Sequence, residues 1–215
     1  MGVRHFTAAA LVSAAFAVSA GTPEPKAPGP IALAAPRDFA AAVAAIERAT
    51  GAKGGPIETG GGPIPLEEGR SFAVESRQVE RLLSGSHATF RKAGFYLFRY
   101  ERSFGMAGEK DRLGLLAAGD RSAVIRRMGT GSAHHGLTPA RIVAWLDDLA
   151  KEEPFELTEI GVDYVAGRFE RAPKDPAAIA RRSAELAPDL VAGRASTLEL
   201  LAEEIRVNRT LYLIW

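Results

Sequence analysis

Residues 138–169, TPARIVAWLDDLAKEEPFELTEIGVDYVAGRF, place a helix directly before a strand region and decide the fold class. Thr138 is a good N-cap, and Pro139 stands at the first helical position, where its missing N–H is not needed. Apolar side chains then recur at the spacing of one helix face: Ile142, Trp145, Leu146 and Leu149. Pro154 bars continuation of this helix, so we predict that residues 155–169 form strand.

The strand region 155–169 changes phase along its length. Phe155 and Leu157 share one face, whereas Ile160 and Tyr164 belong to the other. A bulge or a turn near Gly161 reconciles the two faces, because either device shifts the alternation. In one regular strand, Glu159 and Asp163 would share a face as a candidate acid/base pair. At a sheet edge, both carboxylates would simply be solvated.

Working outward, the same signals predict further elements on both sides. Ser196 and Glu199 form a capping box that opens the last helix. The strands expected are 71–75, 95–100, 113–117 and a terminal buried strand at 211–215, and further helices are expected after 75, after Asp120 and after Asp175. Strands and helices mix without a regular βαβ period. The sequence therefore predicts one α+β domain over 71–215, with helices packed on a mixed or antiparallel sheet.

The N-terminal part is typical of a targeting segment followed by a linker. Arg4 supplies a short basic region, residues 6–18 are almost wholly apolar, and Val18-Ser19-Ala20 offers small residues for a signal peptidase. An apolar core helix, or a start assigned too far upstream, is the alternative. We expect a signal peptide at 1–20 and a periplasmic or secreted product. Residues 21–70 are expected to be a Pro/Gly-rich linker with one short Ala-rich helix at 38–50 and a loose loop at 51–69.

Composition excludes several kinds of chemistry. The chain has 27 Lys and Arg against 26 Asp and Glu, and removal of residues 1–20 would leave 26 against 26. This balance gives no electrostatic case for nucleic acid. The sequence contains no Cys, which rules out disulfides, thiol nucleophiles and Cys-ligated metal centres. With the signal removed, no stable membrane insertion is expected.

The loop 129–136 is the most suggestive stretch for a site. Its glycines lie just before the helix at Thr138, where backbone N–H groups can bind an anion, and His134 or His135 could move a proton near neutral pH. A flexible helix-to-helix connection explains the same residues. Adjacent residues in an extended loop point apart, so the two histidines make a poor chelate, and neither a metal site nor a cofactor site is predicted.

From about Gly94 onward, the chain resembles a bacterial family known as domain of unknown function 4253. The resemblance rests on an ordered series of motifs: Phe95–Tyr100, Leu113–Ala117, Asp120, Met128–Gly131, Ile142–Leu146, Gly161–Val165 with Phe169, Pro188–Val191, Leu201–Ile205 and Leu211–Trp215. It covers roughly the C-terminal 120 residues, and its order and spacing carry it rather than any single motif. The family name implies no activity.

The chain departs from the family where the family pattern is most polar. The resemblance implies Asn-Tyr where His134-His135 stand, Cys where Ala187 stands, Asp-Gln-Gly where residues 192–194 read Ala-Gly-Arg, and a Trp-Trp-Asp end where this chain has Ile214-Trp215. Apolar framework positions are kept. A function that depends on those polar groups would therefore not be retained here.

These observations favour a non-enzymatic binding or interaction domain of the cell envelope, with another envelope protein as partner. The alternative is a small hydrolase-like enzyme that acts on an anionic substrate at the loop 129–136. That reading requires His134 or His135 to face Glu159 and Asp163 within a concavity.

Overall fold

The computed structural model describes residues 28–59, 61–103, 108–192 and 197–215, and the structural statements below concern these ranges. The expected signal peptide at 1–20 and the first part of the linker, 21–27, lie outside them. The expected capping residue Ser196 also lies outside them, as do Gly193 and Arg194.

Helices and strands mix along the described chain. The helices are α1 (Phe39–Thr50), α2 (Ser76–Lys92), α3 (Arg121–Met128), α4 (Pro139–Glu152), α5 (Pro176–Leu186), α6 (Asp189–Ala192) and α7 (Leu198–Asn208). The strands are β1 (Ile57–Thr59), β2 (Gly62–Ile64), β3 (Gly69–Val74), β4 (Tyr96–Glu101), β5 (Asp111–Leu116), β6 (Phe155–Ile160), β7 (Tyr164–Phe169) and β8 (Thr210–Ile214). No helix in these ranges combines the length and apolar character needed to cross a membrane.

Local capping signals define most helix starts. The side chains of Asp38, Asp120, Thr138 and Asp175 each accept a hydrogen bond from a backbone N–H in the first turn of their helix, as N-caps do. The last helix differs from the prediction by one residue. Thr197 is its N-cap and accepts from the N–H of Leu200 at 3.2 Å, so the start expected from Ser196 was wrong.

The main sheet is mixed, which confirms the α+β prediction. Its strand order is β3-β5-β4-β6-β7-β8, with β4 parallel to β6 and the other neighbouring pairs antiparallel. The phase change of residues 155–169 is resolved by both devices that were considered. The register shifts between Leu157 and Glu159, and the chain turns after Ile160 to enter β7.

Two hydrophobic cores lie on opposite faces of this sheet. Tyr96 and Phe98 belong to one core, and Leu97, between them, belongs to the other, as the alternation of a strand requires. The larger core receives buried residues from α3, α4, α5 and α7. The smaller core joins α1 and α2 to β3, β4 and β5, and its buried members in the described ranges include none from β6, β7 or β8.

Packed structure begins upstream of the expected limit at residue 71. The N–H of Ile31 donates to the carbonyl oxygen of Arg81 at 2.9 Å, and a Cβ at Gly85 would lie only 2.3 Å from the carbonyl oxygen of Ile31. The expected loose loop at 51–69 contains the β1–β2 hairpin. Its Ile57 and Ile64 are buried in the larger core, because two β-branched side chains on a short hairpin can cover one end of a sheet.

Candidate binding site

The strands bring polar and aromatic residues together at one edge of the sheet. Because β4 and β6 are parallel and β7 and β8 alternate in direction, β4, β6 and β8 all end at this edge, whereas β5 and β7 begin there. Residues near these strand ends therefore become neighbours although they are distant in sequence. Arg99 pairs with Glu159 in the strand register at this edge, across 60 positions of chain.

Four charged side chains form a buried ion-pair network, defined here as Asp111, Arg99, Glu159 and Arg102. Arg99 donates from Nη1 to Asp111 Oδ2 at 2.8 Å and from Nη2 to Glu159 Oε1 at 2.6 Å. Arg102 donates from Nε to Glu159 Oε2 and from Nη2 to Glu159 Oε1, both at 2.6 Å. The order of charges is negative, positive, negative, positive, so the network sums to zero.

The carboxylate of Asp111 is saturated by short-range donors. Oδ1 accepts from the backbone N–H of Ser103 at 2.8 Å, from the Ser103 hydroxyl at 2.9 Å and from the Ser76 hydroxyl at 2.8 Å. Burial by itself raises the pKa of Asp111, but these bonds and the Arg99 guanidinium outweigh it, so its pKa is lowered. Asp111 is therefore an ionised anchor for the start of β5.

Glu159 has the same character. Burial by itself raises the pKa of Glu159, but the hydrogen bonds and charges of Arg102 and Arg99 prevail and lower it below its ordinary value of 4.5. A general base acts best with a pKa near the working pH, and its lone pairs must reach the substrate. The Glu159 carboxylate has a depressed pKa and accepts three hydrogen bonds from guanidinium groups, so its geometry is that of a structural ion pair.

A cleft of about 300 Å³ lies beside this network, and we call it the tyrosine cleft. Its lining combines three tyrosines, two aliphatic side chains, three acidic side chains and one arginine: Tyr100, Tyr164, Tyr212, Val162, Ile214, Glu58, Glu101, Asp163 and Arg102. Val162 and Ile214 are among the exposed large hydrophobic residues. The arginine joins the cleft to the network, because Arg102 contacts Glu159 while lining the cleft.

The three tyrosines differ in how their hydroxyls are satisfied. Tyr100 shares a 2.7 Å hydrogen bond with the hydroxyl of Ser71. Tyr164 is only 9% exposed, and its buried hydroxyl has no hydrogen-bond partner among the described residues. The Tyr164 ring packs against Gly161, where an added Cβ would lie 2.3 Å from a ring carbon. Glycine at 161 is thus required by the ring that forms the cleft wall.

The loop 129–136 supports the turn that carries part of the cleft. Thr130 donates from its hydroxyl to the carbonyl oxygen of Gly161 at 2.7 Å, and the N–H of Gly131 donates to the carbonyl oxygen of Val162 at 2.9 Å. An added Cβ at Gly131 would lie 2.4 Å from the carbonyl oxygen of Leu137. The Gly131 N–H that was considered for an anion therefore already binds the β6–β7 turn.

The two histidines of this loop do not point apart, as an extended loop predicted. A turn closed by the bridge between Ser132 and Leu137 brings their rings to a centroid distance of 4.8 Å, edge to face. His135 Nε2 lies 3.1 Å from Asp189 Oδ2 at the start of α6, and His134 is exposed. Among the described residues, no group of three or more His, Asp or Glu side chains could hold a metal ion.

The four residues proposed from sequence are thus divided between three places. Glu159 is buried in the ion-pair network, Asp163 is exposed and lines the tyrosine cleft, and His135 faces Asp189. The loop 129–136 does touch the turn that precedes Asp163, but none of its residues lines the cleft. The structure brings loop and turn together without joining the histidines to the carboxylates.

Sequence reasoning missed Arg99, Arg102, Asp111 and the tyrosines as a group. One signal was present, because Arg99 interrupts the apolar run Phe95–Tyr100 at a position that faces the core. A buried arginine requires a carboxylate partner. The identity of that partner depends on the parallel pairing of β4 with β6.

The fold and this edge define a class: an α+β domain with a mixed sheet between two helical layers and an aromatic cleft beside a neutralised charge network. Residues 112–215 match the model of the family described as Domain of unknown function (DUF4253). The C-terminal part of the chain belongs to this family, which confirms the resemblance seen in the sequence, although the match begins at Arg112 and not at Gly94. No curated protein and no solved structure matches the chain.

The family match divides the site. Glu159 and three cleft residues, Val162, Tyr164 and Tyr212, lie within residues 112–215, whereas Arg99, Arg102 and Asp111 precede the match. Of the positions where the chain departs from the family, Ala187 is buried in the larger core. A small apolar side chain there contributes packing to the end of α5.

Proposed function

We propose that the protein is an exported, non-enzymatic binding domain of the cell envelope, and that the tyrosine cleft is the surface that contacts its partner, another envelope protein. One observation carries the proposal. The carboxylate that sequence favoured as an acid/base group, Glu159, is held by two guanidinium groups, and it stabilises a cleft wall.

The composition of the cleft supports a contact role. Tyrosines are enriched in binding surfaces because each offers a large apolar face and a polar hydroxyl with few rotatable bonds. Val162, at 45% exposure, extends this aromatic surface outward. A neutral and fully paired network behind the cleft fixes the strand ends and gives the surface a defined shape.

A site-specific cross-linker tests the contact surface. A photoreactive phenylalanine analogue replaces Val162, which lines the cleft, or Val207, an exposed valine on the last turn of α7 that does not line it. We expect a discrete cross-linked species in the cell envelope from position 162 and none from position 207. Equal cross-linking from both positions, or none from position 162, would count against the cleft as the contact surface.

Export is proposed from the sequence of residues 1–20 and has its own test. The protein expressed in a bacterial host with an envelope is recovered by osmotic shock, and its N-terminus is sequenced. We expect a chain that begins at Gly21 in the shock fluid. An intact Met1 in soluble cytoplasmic protein would contradict export.

The alternative function, a hydrolase-like activity on an anionic substrate at the loop 129–136, has one observation in its favour. His135 and Asp189 form a pair at 3.1 Å, and a carboxylate can orient a histidine for proton transfer. A panel of phosphate and carboxylate esters, assayed with the native chain and with His135→Asn, tests it. Turnover that is lost on this substitution would favour the enzyme, and the absence of turnover would remove it.

A further inference from the structure

We infer that the tyrosine cleft recognises an organic cation, namely an alkylammonium group of the size of a lysine terminus or a quaternary ammonium head. The inference rests on the proposed use of this cleft as the contact surface, and it names the chemistry that the surface selects. It is carried by the charge of the rim, by the aromatic walls and by the unpartnered hydroxyl of Tyr164.

The rim of the cleft has uncompensated negative charge. Arg102 is the single cation of the lining, and its charge is committed to Glu159 within a network that sums to zero. The remaining charged groups of the lining are Glu58, Glu101 and Asp163, and none of them has an ion-pair partner among the described residues. A cation entering here would be attracted, and an anion repelled.

The nearest arginine on the neighbouring strand does not alter this sign. Arg112 stands opposite Glu101 in the pairing of β4 with β5, but it does not line the cleft. The cleft therefore offers carboxylates at its rim without a guanidinium that could bind an anionic ligand on its own.

The walls supply the second part of the recognition. The rings of Tyr164 and Tyr212 lie 6.1 Å apart between centroids, with an interplanar angle of 38°. Tyrosine faces attract ammonium groups through the ring quadrupole, more strongly when the site is partly desolvated. The Tyr164 hydroxyl is buried and has no partner among the described residues, although buried hydroxyls are normally hydrogen-bonded. This orphaned hydroxyl in a cleft wall is independent evidence for a polar ligand.

The volume limits the ligand to one small group. About 300 Å³ is at the lower end of the range for small-molecule sites, so the cleft accommodates a head group and not a folded domain. Two sources share this chemistry, a free quaternary ammonium compound and a lysine side chain of a partner protein. The proposed envelope partner would be held by such a side chain.

A pair of isosteres isolates the role of charge. Choline and 3,3-dimethylbutan-1-ol have nearly the same shape, but only choline is cationic. Each is titrated into the uniformly ¹⁵N-labelled chain at constant ionic strength, and amide shifts are followed by NMR. We expect saturable shifts with choline at residues 162–164 and 212–214, and none with the neutral alcohol. Equal shifts with both, or choline shifts that map elsewhere, would overturn the inference.

Variants then assign the contributions within the cleft. Tyr212→Leu removes an aromatic face and should weaken choline binding about 3- to 30-fold, whereas Tyr212→Phe should retain it. Asp163→Asn removes one rim charge and should weaken binding severalfold. Glu170→Gln, an exposed acid at the end of β7, is its matched control and should change nothing. Unchanged affinity in Tyr212→Leu and Asp163→Asn together would contradict the inference.

The two sources are distinguished with Nα-acetyl-lysine amide, whose one positive charge lies at the end of its side chain. Tighter binding than choline identifies a protein side chain as the ligand, and weaker binding identifies a free quaternary ammonium. Failure of the cation probes with retained cross-linking from position 162 would remove the ligand class and leave the binding surface. Binding of the probes without any cross-link would remove the envelope partner and leave the ligand class.

Discussion

Arg99 and His87 are both buried between α2 and the sheet, and each faces a glutamate of β6, yet one keeps its charge and the other does not. Arg99 lies 2.6 Å from Glu159, whereas His87 Nε2 lies 3.5 Å from Glu156 and has no hydrogen-bond partner. Burial acts to lower the pKa of both. For Arg99 the bonds to Glu159 and Asp111 prevail and raise it, but for His87 burial prevails and its pKa is lowered from 6.5.

The difference teaches that the quality of the partner, and not burial, decides the charge state at these two positions. The Arg99 region is the charged, fully paired edge that supports the tyrosine cleft. The His87 region is a neutral packing contact, in which Nδ1 lies 2.6 Å from the carbonyl oxygen of Leu97 and the ring meets Tyr96 edge-on at 4.9 Å. The predictions below test this division.

The largest effect is expected from loss of Arg99. Arg99→Met leaves Asp111 without its guanidinium partner and Glu159 with only Arg102, and removal of one member of a buried ion pair costs about 3–5 kcal/mol of unfolding free energy. Denaturant unfolding measures it. Arg168→Met, an exposed arginine on β7, is the control and should change stability by no more than about 0.5 kcal/mol. A cost below about 1 kcal/mol for Arg99→Met would mean that the network contributes little.

A smaller, pH-dependent effect is expected from Glu159→Gln. Removing the charged acceptor should cost about 2–3 kcal/mol near pH 7. Because the pKa of Glu159 is lower in the folded chain, the unfolded chain takes up the proton first as the pH falls below 4.5. The stabilisation by Glu159 is therefore present above that pH and is lost below it. Unfolding free energies at several pH values should converge for the native chain and the variant under acid, and a constant difference would contradict this sign.

The contrast between the two regions also shows what the sequence could and could not predict. Caps such as Asp120 and Thr138 depend on neighbours three residues away, so the sequence predicted those helix starts correctly. The partner of Arg99 depends on the parallel pairing of β4 with β6, which no local pattern specifies. Glu159 was considered for its alternation with Asp163, and the register shift after Leu157 removed that relation. The tyrosine cleft required the order of strands, which becomes known only with the fold.

His87 should produce a third effect, in a different pH window. Its pKa is lowered in the folded chain, so as the pH falls below 6.5 the unfolded chain binds a proton that the folded chain does not. Between pH 7 and pH 5 the native chain should lose up to about 2 kcal/mol from this group. His87→Gln should flatten that loss, and His134→Gln, an exposed control, should not. Identical slopes in His87→Gln and the native chain would show that His87 becomes charged while buried.

The smallest effect is expected at the tyrosine hydroxyls, where the two regions can be compared by one identical change. Tyr96, near His87, donates from its hydroxyl to the carbonyl oxygen of Leu157 at 2.7 Å, so Tyr96→Phe should cost about 1 kcal/mol. The hydroxyl of Tyr164 has no partner among the described residues, so Tyr164→Phe should leave stability unchanged or raise it slightly. Both rings stay in place, and thermal unfolding of the two variants without ligand measures the difference. If Tyr164→Phe cost as much as Tyr96→Phe, the hydroxyl would already be satisfied within the protein, and the cleft would lose its unpartnered donor.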